Sequence, residues 1–198
     1  AGKRYDGEMI TLAPRLADWI ALWQQAAPAM RAESLAAASS GPFTLVDIHR
    51  YNARGAEQSR RLAWFAVWAP DSARAVEPDT CYDFDPAGNS FHRGPPRFSC
   101  APLADLKISS IATIETCGQS GDFDGALWLD AERFALTGTT TAGDTTGAGR
   151  GLVRLYDLGA GTVTEYRLPS VIAPVFERFR TVREIARVAR LRRLTTAS

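Results

Sequence analysis

Residues 126–168 read ALWLD, AE, RFALTGTTT, a glycine-rich loop, GLVRLYDL, GAG and TVTEYRL. These are four β-like runs separated by turn chemistry. Leu127 and Leu129 alternate with Trp128 and Asp130, and Phe134 and Leu136 with Ala135 and Thr137. Leu152, Arg154 and Tyr156 alternate with Val153, Leu155 and Asp157; Val163, Glu165 and Arg167 alternate with Thr164, Tyr166 and Leu168. A period of two is that of a strand with different surroundings on its two faces. Gly159-Ala160-Gly161 supplies a hairpin turn. Strands joined this closely pair antiparallel with their neighbours, so the stretch predicts a meander and ties the rest of the chain to a sheet.

Other strands are expected upstream. Residues 43–51 (FTLVDIHRY) and 61–69 (RLAWFAVWA) read as a long-looped hairpin, the second strand apolar on both faces. They form the front half of the sheet whose back half is the meander. A short hairpin is centred on Asp85-Pro86-Ala87-Gly88-Asn89, where proline presets one φ and glycine supplies a positive one. Residues 108–117 (ISSIATIETC) are rich in β-branched side chains. Gly118 to Gly125 reads as a tight polar turn into the meander.

Helices are expected at both ends. Residues 1–10 are polar and read as a loose arm or short edge strand. Leu12, Leu16, Trp19, Ile20, Trp23 and Ala27 then share one helical face, with Thr11 near the N-cap and Pro14 in the first turn. That face is expected to cover a sheet. A second helical piece spans 29–38 and stops at Ser39-Ser40-Gly41-Pro42. After Pro174, Val175, Phe179, Val182, Ile185 or Ala186, and Ala189 make one face of a basic amphipathic helix. The fold class is therefore α+β: a mainly antiparallel sheet of about seven to nine strands, an N-terminal helical pair and a C-terminal basic helix. Residues 1–174 form one domain, with 175–198 docked or appended.

The phrase VRLYDLGAGTVTEYRL resembles the outer strands of a β-propeller blade. A propeller repeats its blade, and no second copy occurs at a matching period. A meander in a single sheet accounts for the same text.

Charge is unevenly distributed. Residues 175–194 hold seven arginines and two glutamates, a local excess of five positive charges in a chain whose net charge is +1. The body is therefore acidic and the tail basic. Arginine dominates the basic residues and alanine is abundant, which fits a GC-rich bacterial genome. No run of 18 apolar residues occurs, so no membrane-spanning helix is expected. Cys81, Cys100 and Cys117 show no metal-type spacing, and two of them could form one disulfide. Together with a first residue that is alanine rather than methionine, this gives a periplasmic or secreted protein as the expected location.

Catalytic chemistry has few residues to draw on. The two histidines are His49 and His92, and the sharpest arrangement is Cys81 with His92 and Asp83 on the short hairpin. His49 shares a strand face with Asp47, and Asp85 adds a further carboxylate. Asp122-Phe123-Asp124-Gly125 places two hard oxygen ligands beside a glycine, a weak calcium candidate that lacks the other ligands of a calcium loop. The glycine-rich AGDTTGAGRG precedes a strand rather than a helix, so it lacks the helix N-terminus on which a phosphate cradle depends. It reads as a loop for partner contact through Asp144 and Arg150. The remaining binding candidates are Arg178, Arg183, Arg187 and Arg190.

The expected function is that of a non-enzymatic bacterial envelope protein that binds another protein, as inhibitor, immunity factor or assembly component. No cofactor, metal or nucleic acid enters this reading. Its alternatives are a small hydrolase using Cys81 and His92 or clustered carboxylates, and a peripheral membrane protein held by residues 175–194.

Overall fold

Apolar residues at helical spacing open the described chain, and the computed structural model turns them into a broken helix. The structure describes residues 2–50, 65–78, 82–85, 90–93, 100–116, 121–141 and 146–196. Helix α1 spans Gly2–Leu12, a 3₁₀ turn Ala13–Leu16, and α2 Ala17–Ala26. The break falls at Pro14, which lacks the N–H that a continuous helix would use. Residues 2–10 are thus helical rather than a loose arm. Leu12, Leu16, Trp19, Ile20 and Trp23 are all buried, the face expected from their spacing.

Residues 29–38 do not form the expected second helix. A single 3₁₀ turn, Ala32–Ser34, leads into strand β1, Ala36–Pro42. It pairs antiparallel with β12, Thr162–Arg167, placing Ala36 opposite Arg167 and Pro42 opposite Thr162. Alanine's helical preference is worth only a few tenths of a kcal/mol per residue, roughly, over most alternatives. The open backbone edge of β12 outweighs it.

The class is α+β, but the strands divide between two five-stranded antiparallel sheets and a separate hairpin. The first sheet runs β1-β12-β11-β10-β9, with β9 at Gly121–Trp128, β10 at Arg133–Thr140 and β11 at Arg150–Asp157. It contains the whole meander. The second runs β2-β8-β7-β4-β3, with β2 at Val46–Arg50, β3 at Val67–Trp68, β4 at Arg74–Val76, β7 at Cys100–Asp105 and β8 at Ser110–Thr116. The described residues among 43–69 therefore do not extend the meander's sheet. Of the expected strand 61–69, only Val67–Trp68 is a strand, and 61–64 lie outside the described residues. The hairpin pairs β5, Tyr82–Asp85, with β6, Ser90–Arg93.

Three layers result. Phe123, Trp128, Phe134, Leu136, Leu152 and Tyr156 of the first sheet face Val76, Ala101, Leu103 and Ile114 of the second. The Phe134 and Tyr156 rings stack 4.9 Å apart between the layers. Trp128 donates its indole N–H to Val67 O at 2.8 Å, giving this buried polar atom a partner across the interface. The opposite face of the first sheet, with Ala135, Val153, Leu155, Tyr166 and Leu168, lies under the N-terminal helices and a long helix α3, Ala173–Thr196.

Glycine is required where β9 meets β10. A Cβ on Gly138 would stand 2.4 Å from the Asp122 carbonyl oxygen and 3.0 Å from Phe123 Cα. These are backbone atoms and cannot rotate away. Gly138→Ala is expected to destabilise the protein by about 1–3 kcal/mol through overpacking. Urea unfolding would check this, and a change below about 0.5 kcal/mol would mean that β9 shifts freely.

Candidate functional site

Helix α3 presents its buried residues at spacings of three and four: Phe176, Phe179, Arg183, Arg187 and Leu191. The expected apolar stripe is displaced around the helix, and Ile185 is 67% exposed. Two guanidinium groups thus occupy the middle of the inward face. Phe179 holds one end, its ring stacked on Trp23 at 3.6 Å and 10°. The Arg183 guanidinium lies 6.0 Å above the Phe179 ring on the same face.

The partners of these arginines come from β9, where the regular alternation breaks. Thr137 opposes Gly125 and Gly138 opposes Phe123, so Asp124 is the extra residue of a β-bulge. Phe123 faces the second sheet, and beyond the bulge Ala126 and Trp128 do so as well. Asp122 and Asp124 meet α3 on the other side. Arg183 Nη2 donates to Asp122 Oδ2 at 2.5 Å, and Arg183 Nη1 donates to Thr139 Oγ1 at 3.0 Å. Arg183 Nη1 is also 3.5 Å from Asp124 Oδ2, while Thr137 Oγ1 donates to Asp124 Oδ1 at 3.0 Å. Arg187 Nη2 donates to the Phe123 carbonyl oxygen. The side chains of Asp124, Arg183 and Arg187 are only 4%, 5% and 1% exposed.

Asp122 and Asp124 therefore lie in a strand, not in the expected turn. Their carboxylates face guanidinium groups, the charge that a calcium ion would have brought. Among the described residues no three His, Cys, Asp or Glu side chains gather as a metal site would need.

Burial pushes the Asp124 carboxyl above its ordinary value of 3.8, while Arg183, Arg187 and the Thr137 hydrogen bond pull it down. The net direction is upward. A raised carboxyl binds its proton more tightly folded than unfolded. Its contribution to stability is fully present below the unfolded value and is lost as pH rises through the folded one. Asp124→Asn is expected to flatten that part of the stability profile. Urea midpoints for both proteins across acidic pH would show it, and parallel profiles would reject it.

Beside this ion network a cleft of about 450 Å³ opens between α2, α3 and the β9–β10 edge. Five arginines line it, Arg15, Arg183, Arg187, Arg190 and Arg193, with two carboxylates, Asp18 and Asp124. Trp19, Leu22, Ala126, Leu127 and Ala186 supply an apolar wall. Its volume lies in the range of small-ligand sites, roughly 300–1,000 Å³. Arg15 is anchored by a 2.5 Å hydrogen bond to the Trp128 carbonyl oxygen. The arrangement can hold an anionic group against an apolar body.

Of the binding candidates, Arg183, Arg187 and Arg190 meet at this cleft. Arg178 is exposed on α3, and Arg150 begins β11, opposite Thr140. Asp144 lies outside the described residues, as does Cys81. Asp83 and His92 are direct cross-strand partners in the β5–β6 hairpin. His49 is in β2, opposite Ile111. No disulfide is seen among the described residues, which include one cysteine, Cys100, at the start of β7. Sequence reasoning missed Arg15, Asp18 and Arg193. A usable signal was present in the interval of four joining Phe179, Arg183, Arg187 and Leu191, which puts two charges on the line of two apolar residues.

Comparison with known proteins gives no matching family model, no matching curated protein and no matching solved structure.

Proposed function

We propose that the protein is a non-enzymatic component of the bacterial envelope, periplasmic or secreted, that acts by binding another protein. Inhibitor, immunity factor and assembly component are the roles that fit. The observation carrying this reading is the arginine-lined cleft, whose formal charge of five arginines against two aspartates selects an anionic group. Arginine suits such recognition because its planar fork pairs with two oxygens at once. The envelope location draws on cysteine usage.

The test compares capture of envelope proteins by the wild-type chain and by Arg190→Glu/Arg193→Glu. Arg178→Glu serves as the control, because Arg178 is exposed and does not line the cleft. The reading expects partners held by the wild type and control and lost by the double variant. Capture that ignores the charge reversal would overturn it.

A second reading draws on the register that sets Asp83 opposite His92, in the hairpin that follows Cys81. It assigns a small hydrolase. Turnover of activated esters that vanishes in both Cys81→Ser and His92→Ala would establish it; turnover unchanged in either would dismiss it. A membrane-surface role draws less support, since Phe176, Phe179 and Leu191 of α3 face inward.

A further inference from the structure

The cleft reaches past the face of the first sheet to its border. Strand β9 is the outermost strand there, paired with β10 alone among the described residues. Asp124, Gly125, Ala126 and Leu127 line the cleft as an unbroken run, although side chains on a strand point alternately to opposite faces. The Ala126 methyl packs between the two sheets, so Ala126 meets the cleft through its main chain. Hydrogen-bond parity turns that main chain outward. Leu129 N donates to Arg133 O at 2.8 Å. Bonded and unbonded positions alternate in an antiparallel pair, so Trp128 and Ala126, opposite Phe134 and Leu136, point their N–H and C=O groups away from β10. The nearby carbonyls of Trp128 and Phe123 accept from Arg15 and Arg187. Between them Ala126 is half-buried, and its outward main-chain groups bond no other described residue.

We propose that an extended, acidic segment of a partner protein adds to the first sheet along the border of β9, centred opposite Ala126. Strand addition takes its affinity from main-chain hydrogen bonds and its specificity from alternate side chains. Whichever way the added strand runs, the residue opposite Ala126 points its side chain as Ala126 does, toward the second sheet. Its two neighbours turn toward α3. The cleft there sets five arginines against two aspartates, so the neighbours are acidic, with one apolar residue between them. A guanidinium fork holds a carboxylate by both oxygens, which favours such a segment over a neutral one. A helix brings charge to the arginines but no free row of main-chain groups to Ala126. A second copy of β9 would set one arginine-lined cleft against another. This inference rests on the protein-binding reading and adds the partner's conformation and sequence pattern.

Calorimetric titration with capped peptides tests it. The parent is acetyl-Val-Glu-Val-Glu-Val-amide, which is expected to bind. Glutamine in place of both glutamates is expected to weaken binding by about tenfold or more, through loss of charge-assisted hydrogen bonds. Lysine in their place is expected to abolish it. Two further peptides carry an N-methyl group, one on the central valine and one on both glutamates. Hydrogen bonds to Ala126 come from the central residue if the strands run antiparallel and from its neighbours if they run parallel. Methylation is therefore expected to abolish binding at one of these positions and to spare it at the other. Ala126→Pro removes the outward N–H at a place where an edge strand tolerates proline, and is expected to abolish binding of the parent. Thermal unfolding establishes that this variant is folded, and the methylated peptides decide the matter on the wild-type protein if it is not. Equal effects of the two methylations, undiminished binding to folded Ala126→Pro, or absence of heat with the parent overturns the inference. If both methylations are tolerated while lysine abolishes binding, the cleft reads acidic segments by charge alone. The strand-addition inference then fails while the protein-binding reading stands.

Discussion

Arg183→Met is expected to destabilise the protein by about 3–5 kcal/mol, the cost of leaving a buried charge without its partner. The arginine bonds Asp122 and Thr139 and lies 3.5 Å from Asp124 Oδ2. Methionine fills much of the same space but leaves Asp124 buried without its closest cation. The double variant Arg183→Met/Asp124→Leu is expected to recover most of the loss, because replacing both members of a buried pair by apolar groups is often neutral. Urea unfolding of the wild type, both single variants and the double variant gives the coupling energy directly. A single-variant loss below about 1 kcal/mol, typical of an exposed ion pair, would show that the pair is solvated in solution.

Phe179→Ala is expected to have a similar effect for a different reason, a loss of about 3–5 kcal/mol. Phe179 is 0% exposed, and its ring lies flat on Trp23, itself 0% exposed. Removing the ring opens a cavity where α2, α3 and the first sheet meet, and surrounding side chains cannot fill it without moving helix backbones. The same cavity should loosen α3, so protease cleavage within Ala173–Thr196 should precede global unfolding. Phe179→Leu retains much of the volume and should lose less than half as much. Equal losses for the two variants would point to the stacking geometry, rather than the cavity, as the main term.

The legible parts of the chain were those with a sustained period. The meander was readable because each strand keeps its alternation for several residues, and the N-terminal helical face because five large apolar side chains recur at three and four. Residues 29–38 misled because alanine-rich text carries helical propensity, whereas the hydrogen-bonding edge that claims it, β12, lies more than 120 residues further along the chain. The division into two sheets was hidden for the same reason: strand-to-strand pairing is decided by packing between layers, and Phe134 reads the same whether it faces a helix or another sheet. At the candidate site, Asp122 and Asp124 were noticed but given a turn, because an Asp-x-Asp-Gly string has turn composition. The break in parity between Phe123 and Ala126 was the overlooked sign of the bulge. On α3 the arginines were set apart from the apolar face, as binding candidates on a basic amphipathic helix. Burial of Arg183 and Arg187 depends on a carboxylate 61 residues away and a backbone carbonyl 64 residues away, both in β9, which no local window can show.

The bulge at Asp124 also sets how the gene can change. A strand keeps phase by counting residues in twos, and the bulge adds one to the count. Loss of a single codon at 124 would restore ordinary alternation and keep every downstream residue in place. Upstream, Phe123 would stay opposite Gly138 and Asp122 opposite Thr139, so both would keep the faces they have now. Such a deletion would remove one carboxylate from beneath the guanidinium groups and leave the two interiors otherwise as they are, so 124 is a position at which β9 can lose a residue without turning its other side chains over.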